Sequence, residues 1–243
     1  MGTTLTPAQG SPCCGPRAGV SVVPMADLRL ILGSRNYSSW SLRAYAAARL
    51  SGLHFEEVVI HFDEDTSRSL RLAQSPSGKV PVLQHGDTVV WDSLAIAEYL
   101  AELAPDAAMW PKDRASRAHA RSIAAEMHSG FMDLRRDLPM NIRQVKPWKE
   151  RSPATMADIA RVAAIWTGTR AQFGKGGPFL FGAPTVVDAF YAPVASRFAT
   201  YAVPLEGAAL DYQRAVLDWA PVKDWAAAAR TEGHPLPAYD ALG

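Results

Sequence analysis

The sequence predicts an α/β domain of element order β-α-β-α-β-β-α followed by an all-helical domain. Three observations carry this prediction. Short apolar runs alternate with helical periodicity over residues 28–103, a Val80-Pro81 dipeptide opens a strand that runs into a hairpin, and every periodic segment beyond Ala104-Pro105-Asp106 is helical.

Leu28 to Leu32 is an apolar run of the length of a buried strand. Ser41 to Ser51 turns helical, with Leu42, Tyr45, Ala46 and Leu50 at helical spacing, and Gly52 stops it. Phe55 to Ile60 reads as a second strand, parallel to the first if the helix is a right-handed crossover. Asp65 to Ala73 is a weakly amphipathic helix, and Ser75-Pro76-Ser77-Gly78 a loop. Val80 to Leu83 is a strand, His85-Gly86-Asp87 a hairpin turn, and Thr88 to Trp91 the returning strand. Ser93 opens a helix over Leu94 to Leu103. The second domain reads as one long helix from Arg114 to about Leu138, then Pro153 to Phe173 with Ser152 as N-cap, then Thr185 to about Thr200. Shorter helices follow near 209–218 and 221–230. The expected organisation is an extension over 1–26, an α/β domain over 27–104, a linker over 105–113 and a helical domain over 114–243.

Composition narrows the function. A formal net charge of +1 gives no basic face for nucleic acid or an anionic membrane, and no apolar run approaches a membrane span. The first 26 residues are rich in Gly, Pro, Ser and Thr, lack the pattern of a secretory signal and read as a disordered tail upstream of a possible second start at Met25. Met1-Gly2-Thr3-Thr4-Leu5-Thr6 fits the short myristoylation pattern. Both cysteines, Cys13 and Cys14, lie in that tail. The body is therefore expected to have no disulfide, no thiolate metal site and no cysteine nucleophile; no metal is expected, and a cytoplasmic protein is the default.

Three short motifs carry chemistry. A proline inside a strand belongs at an edge, a start or a bulge, and a cis Val80-Pro81 bond would turn the Val80 backbone toward an extended, peptide-like ligand. Asp92-Ser93 opens a helix whose N-terminus suits a ligand carboxylate, while Asp92 supplies charge for a ligand ammonium. Ser38 and Ser39 precede the first crossover helix, where a hydroxyl and the helix N-terminus together hold a bound thiol as thiolate. Each motif alone has a plainer reading, as strand initiation or helix capping. Adjacency leaves open which serine is essential. No Gly-x-Ser-x-Gly elbow is present to suggest a hydrolase.

Together, in this order and spacing, the motifs resemble the glutathione S-transferase family, whose N-terminal domain has the thioredoxin fold. The turn Ser38-Ser39-Trp40-Ser41-Leu42-Arg43 is similar to the Ser-Ser-Cys-Ser-x-x-Arg turn of its serine-type zeta class and related bacterial transferases. The resemblance implies catalytic roles for Ser38 and Ser39. It implies a glutathione site of Tyr37, Trp40, Lys79, Val80, Pro81, Asp92 and Ser93, with Val80 pairing the cysteinyl backbone and Lys79 reaching the glycyl carboxylate. Thr185-Val186-Val187-Asp188 matches the family's helix-capping box, which serves folding. For the second substrate, His128, Met132 and Arg135 share a face of the predicted long helix, and Arg197 is a further candidate for a substrate carboxylate.

One departure bears on chemistry. Trp40 stands where the zeta pattern has cysteine, so the turn has no sulfur for a mixed disulfide and a bulky ring reshapes its pocket. The expected function is conjugation of a serine-stabilised glutathione thiolate to a small electrophile. A glutathione-dependent isomerase of maleylacetoacetate type, a peroxidase, or a non-catalytic glutathione-binding carrier remain alternatives. No cofactor beyond glutathione as co-substrate is implied, and the resemblance implies a homodimer.

Overall fold

The computed structural model describes residues 1–2, 28–62 and 65–242. The expectations for the N-terminal extension, Cys13, Cys14 and Met25 fall outside them.

β1 (Leu28–Gly33) enters α1 (Ser39–Ser51), which crosses over to β2 (Phe55–Ile60). α2 (Ser67–Gln74) leads to the hairpin of β3 (Val82–His85) and β4 (Thr88–Trp91), and α3 (Ser93–Leu103) closes the unit. The sheet order is β2-β1-β3-β4, with β2 parallel to β1 and β3 and β4 antiparallel. The register places Ile31 opposite Val82 and Leu30 opposite Leu83, so the core strand β1 is apolar on both faces. α1 ends at Gly52, whose φ of 72° is the left-handed cap that glycine accepts without strain.

The second domain is helical as expected, with one correction. The helix expected over 114–138 is two: α4 (Arg114–Ser129) and the short α5 (Met132–Asp137). Between them Gly130 gives its N–H to Glu126, and Phe131 takes φ 59°. A Cβ at Gly130 would sit 2.7 Å from the Glu126 carbonyl oxygen, so this break depends on glycine. α6 (Pro153–Phe173) begins as expected, with the Ser152 hydroxyl accepting from Thr155 and proline at the first position. α7 (Val186–Thr200), α8 (Gly207–Asp218), α9 (Ala220–Thr231) and the short α10 (Pro237–Asp240) complete the chain.

α7 is buried along nearly its whole length and packs on α1, α4 and α8, so it is the spine joining the two domains. Its start is held by Asp188, a fully buried carboxylate that accepts from Thr185 N–H at 2.7 Å, the Thr185 hydroxyl at 3.0 Å, Leu180 N–H at 3.2 Å and the Tyr212 hydroxyl at 2.9 Å. Four donors match the lone pairs of one carboxylate. Burial nevertheless pushes its pKa up to about 6.

Candidate glutathione site

The turn between β1 and α1 is held from the far end of the chain. Glu232, just after α9, accepts from the backbone N–H groups of Arg35 and Asn36, and Trp225 donates to the Arg35 carbonyl at 2.9 Å. The Asn36 side chain donates to Asn141 and accepts from Arg143 N–H, both at 2.9 Å. The loop that presents Ser38 is thus fixed by the helical domain.

Ser38 caps α1: its oxygen accepts from Ser41 N–H at 3.3 Å, and its hydroxyl donates to Ser41 Oγ at 2.8 Å. It opens onto a cavity of about 420 Å³ lined also by Trp40, Phe62, Arg71, Gly78, Lys79 and Val80. A second cavity of about 360 Å³ shares Trp40, Lys79 and Val80 and continues past Pro81 to Trp91, Asp92 and Ser93. The two form one groove, with Ser38 at one end and Asp92-Ser93 at the other. Val80–Pro81 is cis, and Pro81 stands just before β3 rather than inside it.

Asp92 is the N-cap of α3, its Oδ1 accepting from Leu94 N–H at 2.8 Å, with φ 75° and ψ 134°. That backbone conformation costs a non-glycine residue about 1–3 kcal/mol, and such strain concentrates at functional positions. Ser93 is fully buried and its hydroxyl has no hydrogen-bond partner. At a helix N-terminus beside a cavity, this is a donor waiting for an acceptor.

Two expected residues go elsewhere. The Tyr37 hydroxyl donates to Asp240 at 2.9 Å and accepts from Arg143 at 2.8 Å and Leu236 N–H at 2.9 Å. Its capacity is spent, and it faces the C-terminal segment, not the groove. Ser39 is buried in the first turn of α1 and lines neither cavity. Conversely, the sequence reading missed Arg71, Phe62, Ser77 and Trp91, which line the groove. Arg71 comes from the polar face of α2, beside Lys79, and its periodicity was its one signal.

The helix break also separates the expected second-substrate face. Met132 starts α5 and is largely exposed. His128 reaches back to the first domain: its Nε2 lies 3.3 Å from Asp92 Oδ2, and its ring meets Trp40 edge-on with centroids 5.2 Å apart. Arg135 spends its donors on the carbonyls of Met127 and His128 at the end of α4 and of Gly130 just beyond it. Its guanidinium lies 5.3 Å from the centre of the Trp40 ring.

Beneath Trp40 lies a buried arginine, Arg43, with a second, Arg197, within electrostatic range. Arg43 is fully buried between the rings of Trp40 and Phe190, and none of its three side-chain nitrogens has a partner. Arg197 on α7 is also buried, with Nε and Nη1 unpartnered. Burial and Arg135 hold both below the usual arginine range, Arg197 at about 10. An uncompensated buried charge is strongly destabilising, and neither guanidinium lines the groove. Among the described residues no cluster of three or more metal-binding side chains occurs.

Residues 37–103 match the family model described as glutathione S-transferase, N-terminal domain, and residues 146–230 match the glutathione S-transferase, C-terminal domain. The chain belongs to the glutathione S-transferase family. It is 34% identical over 110 residues to a probable maleylacetoacetate isomerase of Caenorhabditis elegans, covering 45% of this chain and 51% of that protein. It is 28% identical over 187 residues to a maleylpyruvate isomerase of Ralstonia sp, covering 70% and 84%. The chain spans about half the length of most curated relatives it matches. Among solved structures, the maleylacetoacetate isomerase of Anaeromyxobacter dehalogenans 2CP-1 with bound GSH in the active site is similar at 25% identity and a TM-score of 0.60. That likeness covers 87% of this chain and all of the other.

Proposed function

We propose that this chain is a glutathione transferase that holds glutathione along the groove and presents its sulfur, as a thiolate, to a small electrophile. The observation that carries this reading is the convergence of all three motifs on one groove with matched chemistry along its length. At one end the acid Asp92 and the buried donor Ser93 suit the ammonium and carboxylate of a γ-glutamyl group. Val80 lies midway, and Ser38 shares the other end with the cations Arg71 and Lys79, which suit a glycyl carboxylate. Ser38 stabilises the thiolate by donating to sulfur and attacks nothing itself.

Titration of glutathione bound to the protein, followed by the ultraviolet absorbance of the thiolate, tests this. The bound thiol is expected to ionise well below free glutathione, and Ser38→Ala to restore the free value. Binding with an unshifted thiol would instead indicate a glutathione carrier. A conjugation screen across halogenated aromatics, epoxides, peroxides and maleyl compounds identifies the electrophile class.

A second reading is isomerisation of an acidic unsaturated substrate. The relatives from Caenorhabditis elegans and Ralstonia carry isomerase names for maleyl substrates. In that reading glutathione is recovered after each turnover, so product formed without loss of glutathione identifies it. We also infer a cytoplasmic homodimer, with Trp91 and Val89 exposed on the edge strand β4; a monomer in sedimentation overturns the dimer.

A further inference from the structure

Ser38 has a single hydroxyl proton, and that proton points away from the groove. It is given to Ser41 Oγ at 2.8 Å. Ser41 itself is fully buried, lines neither cavity, and also accepts from the backbone N–H of Gly33 at 2.9 Å. Gly33 is the last residue of β1, paired with Ile60, so this amide is a fixed donor. A Cβ there would come within 2.3 Å of the Phe62 ring, which lines the groove beside Ser38.

We infer that Ser41 is a positioning residue for the thiolate, acting through Ser38 as the middle member of a donor chain that starts at the Gly33 amide and ends at sulfur. This rests on the reading of Ser38 as the thiol-holding hydroxyl. Donating to sulfur requires Ser38 to release Ser41. One reversal accomplishes this: Ser41 turns its own proton onto Ser38 Oγ while its oxygen keeps the Gly33 N–H. Ser38 then accepts twice from Ser41, from N–H and from O–H, and donates once to sulfur, which fills its capacity. Gly33 N–H, Ser41 O–H and Ser38 O–H all point one way, and each polarises the next toward the negative charge. Without the Ser41 hydroxyl, Ser38 keeps its position but loses the donor behind it.

The test is a double-mutant cycle on Ser38→Ala and Ser41→Ala, read as the ionisation of bound glutathione and, separately, its dissociation constant. Ser41→Ala is expected to lower the ionisation constant of the bound thiol threefold to tenfold, corresponding to about half to one pKa unit. Glutathione affinity should hold within about twofold, because Ser41 does not touch the ligand, and adding Ser41→Ala to Ser38→Ala should change nothing further. Ser41→Cys keeps a buried side chain with a weaker donor. It is expected to lower the ionisation constant in the same direction by a smaller factor, which reads the role even if the alanine protein folds poorly. An unchanged thiol in both Ser41 variants, while Ser38→Ala shifts it, overturns the role of Ser41 alone. A Ser41→Ala effect that persists in full without Ser38 also overturns it. An unshifted thiol in the wild-type protein overturns the reading of Ser38 and this one together.

Discussion

Asp92 and His128 face each other across the domain boundary, with Oδ2 and Nε2 3.3 Å apart at the Asp92-Ser93 end of the groove. Burial holds the His128 pKa below its ordinary value, with Arg43 and Arg135 pushing the same way and Asp92 opposing. At neutral pH the imidazole is therefore neutral, and Asp92 keeps its charge for a ligand ammonium. Protonated His128 competes for that charge. Glutathione affinity is expected to weaken as pH falls through the His128 pKa, by at most about tenfold per pH unit. This limb is separate from the rise that ionisation of the bound thiol gives at higher pH. His128→Asn should flatten this acid limb in a calorimetric titration across pH, and an unchanged limb would remove His128 from the site.

Ser93 offers a sharper separation of binding from folding. Its buried hydroxyl has no partner, and such a group costs the folded state about 1–3 kcal/mol. Ser93→Ala is expected to leave stability equal or higher while weakening glutathione about tenfold, or roughly 1.4 kcal/mol. Denaturant melts beside glutathione titrations check both; equal affinity in the two proteins would mean the hydroxyl takes no ligand.

What the sequence revealed and concealed follows from how local each signal is. β2, β4 and α6 were legible to the residue, because period, turn residues and the Ser152-Pro153 start all act within a few positions. The break at Gly130 was not, since the apolar spacing continues across it and one glycine is tolerated in a helix. Tyr37 misled through proximity. It neighbours Ser38 in sequence, but its partners Leu236 and Asp240 lie about two hundred residues on, where no local pattern reports them. Arg43 stood inside the motif, yet only the packing of Trp40 and Phe190 around it reveals a guanidinium without a hydrogen-bond partner.

Arg197 tests whether a buried charge outside the groove steers a substrate anion. Arg197→Met fills a similar volume without a charge, and buried ionic groups replaced in this way often stabilise by about 1–4 kcal/mol. The variant is expected to melt higher yet lose about tenfold or more in kcat/KM on carboxylate-bearing electrophiles, with neutral ones little affected. Equal loss on both classes would assign Arg197 to packing instead.

Tyr37→Phe separates the sequence expectation from the observed geometry. The phenol hydroxyl ties Arg143, Leu236 and Asp240 into one cluster, and Asp240 also accepts from Asn141 at 2.7 Å. Losing that hydroxyl leaves three half-buried partners with water or nothing, a cost of about 1–2 kcal/mol. The C-terminal segment should then exchange its amide hydrogens faster, with Leu236 first because its N–H donates directly to Tyr37. Glutathione affinity and thiol ionisation should stay within about twofold, since the Tyr37 hydroxyl points away from the groove. A large loss of affinity with unchanged exchange at Leu236 would return Tyr37 to the ligand.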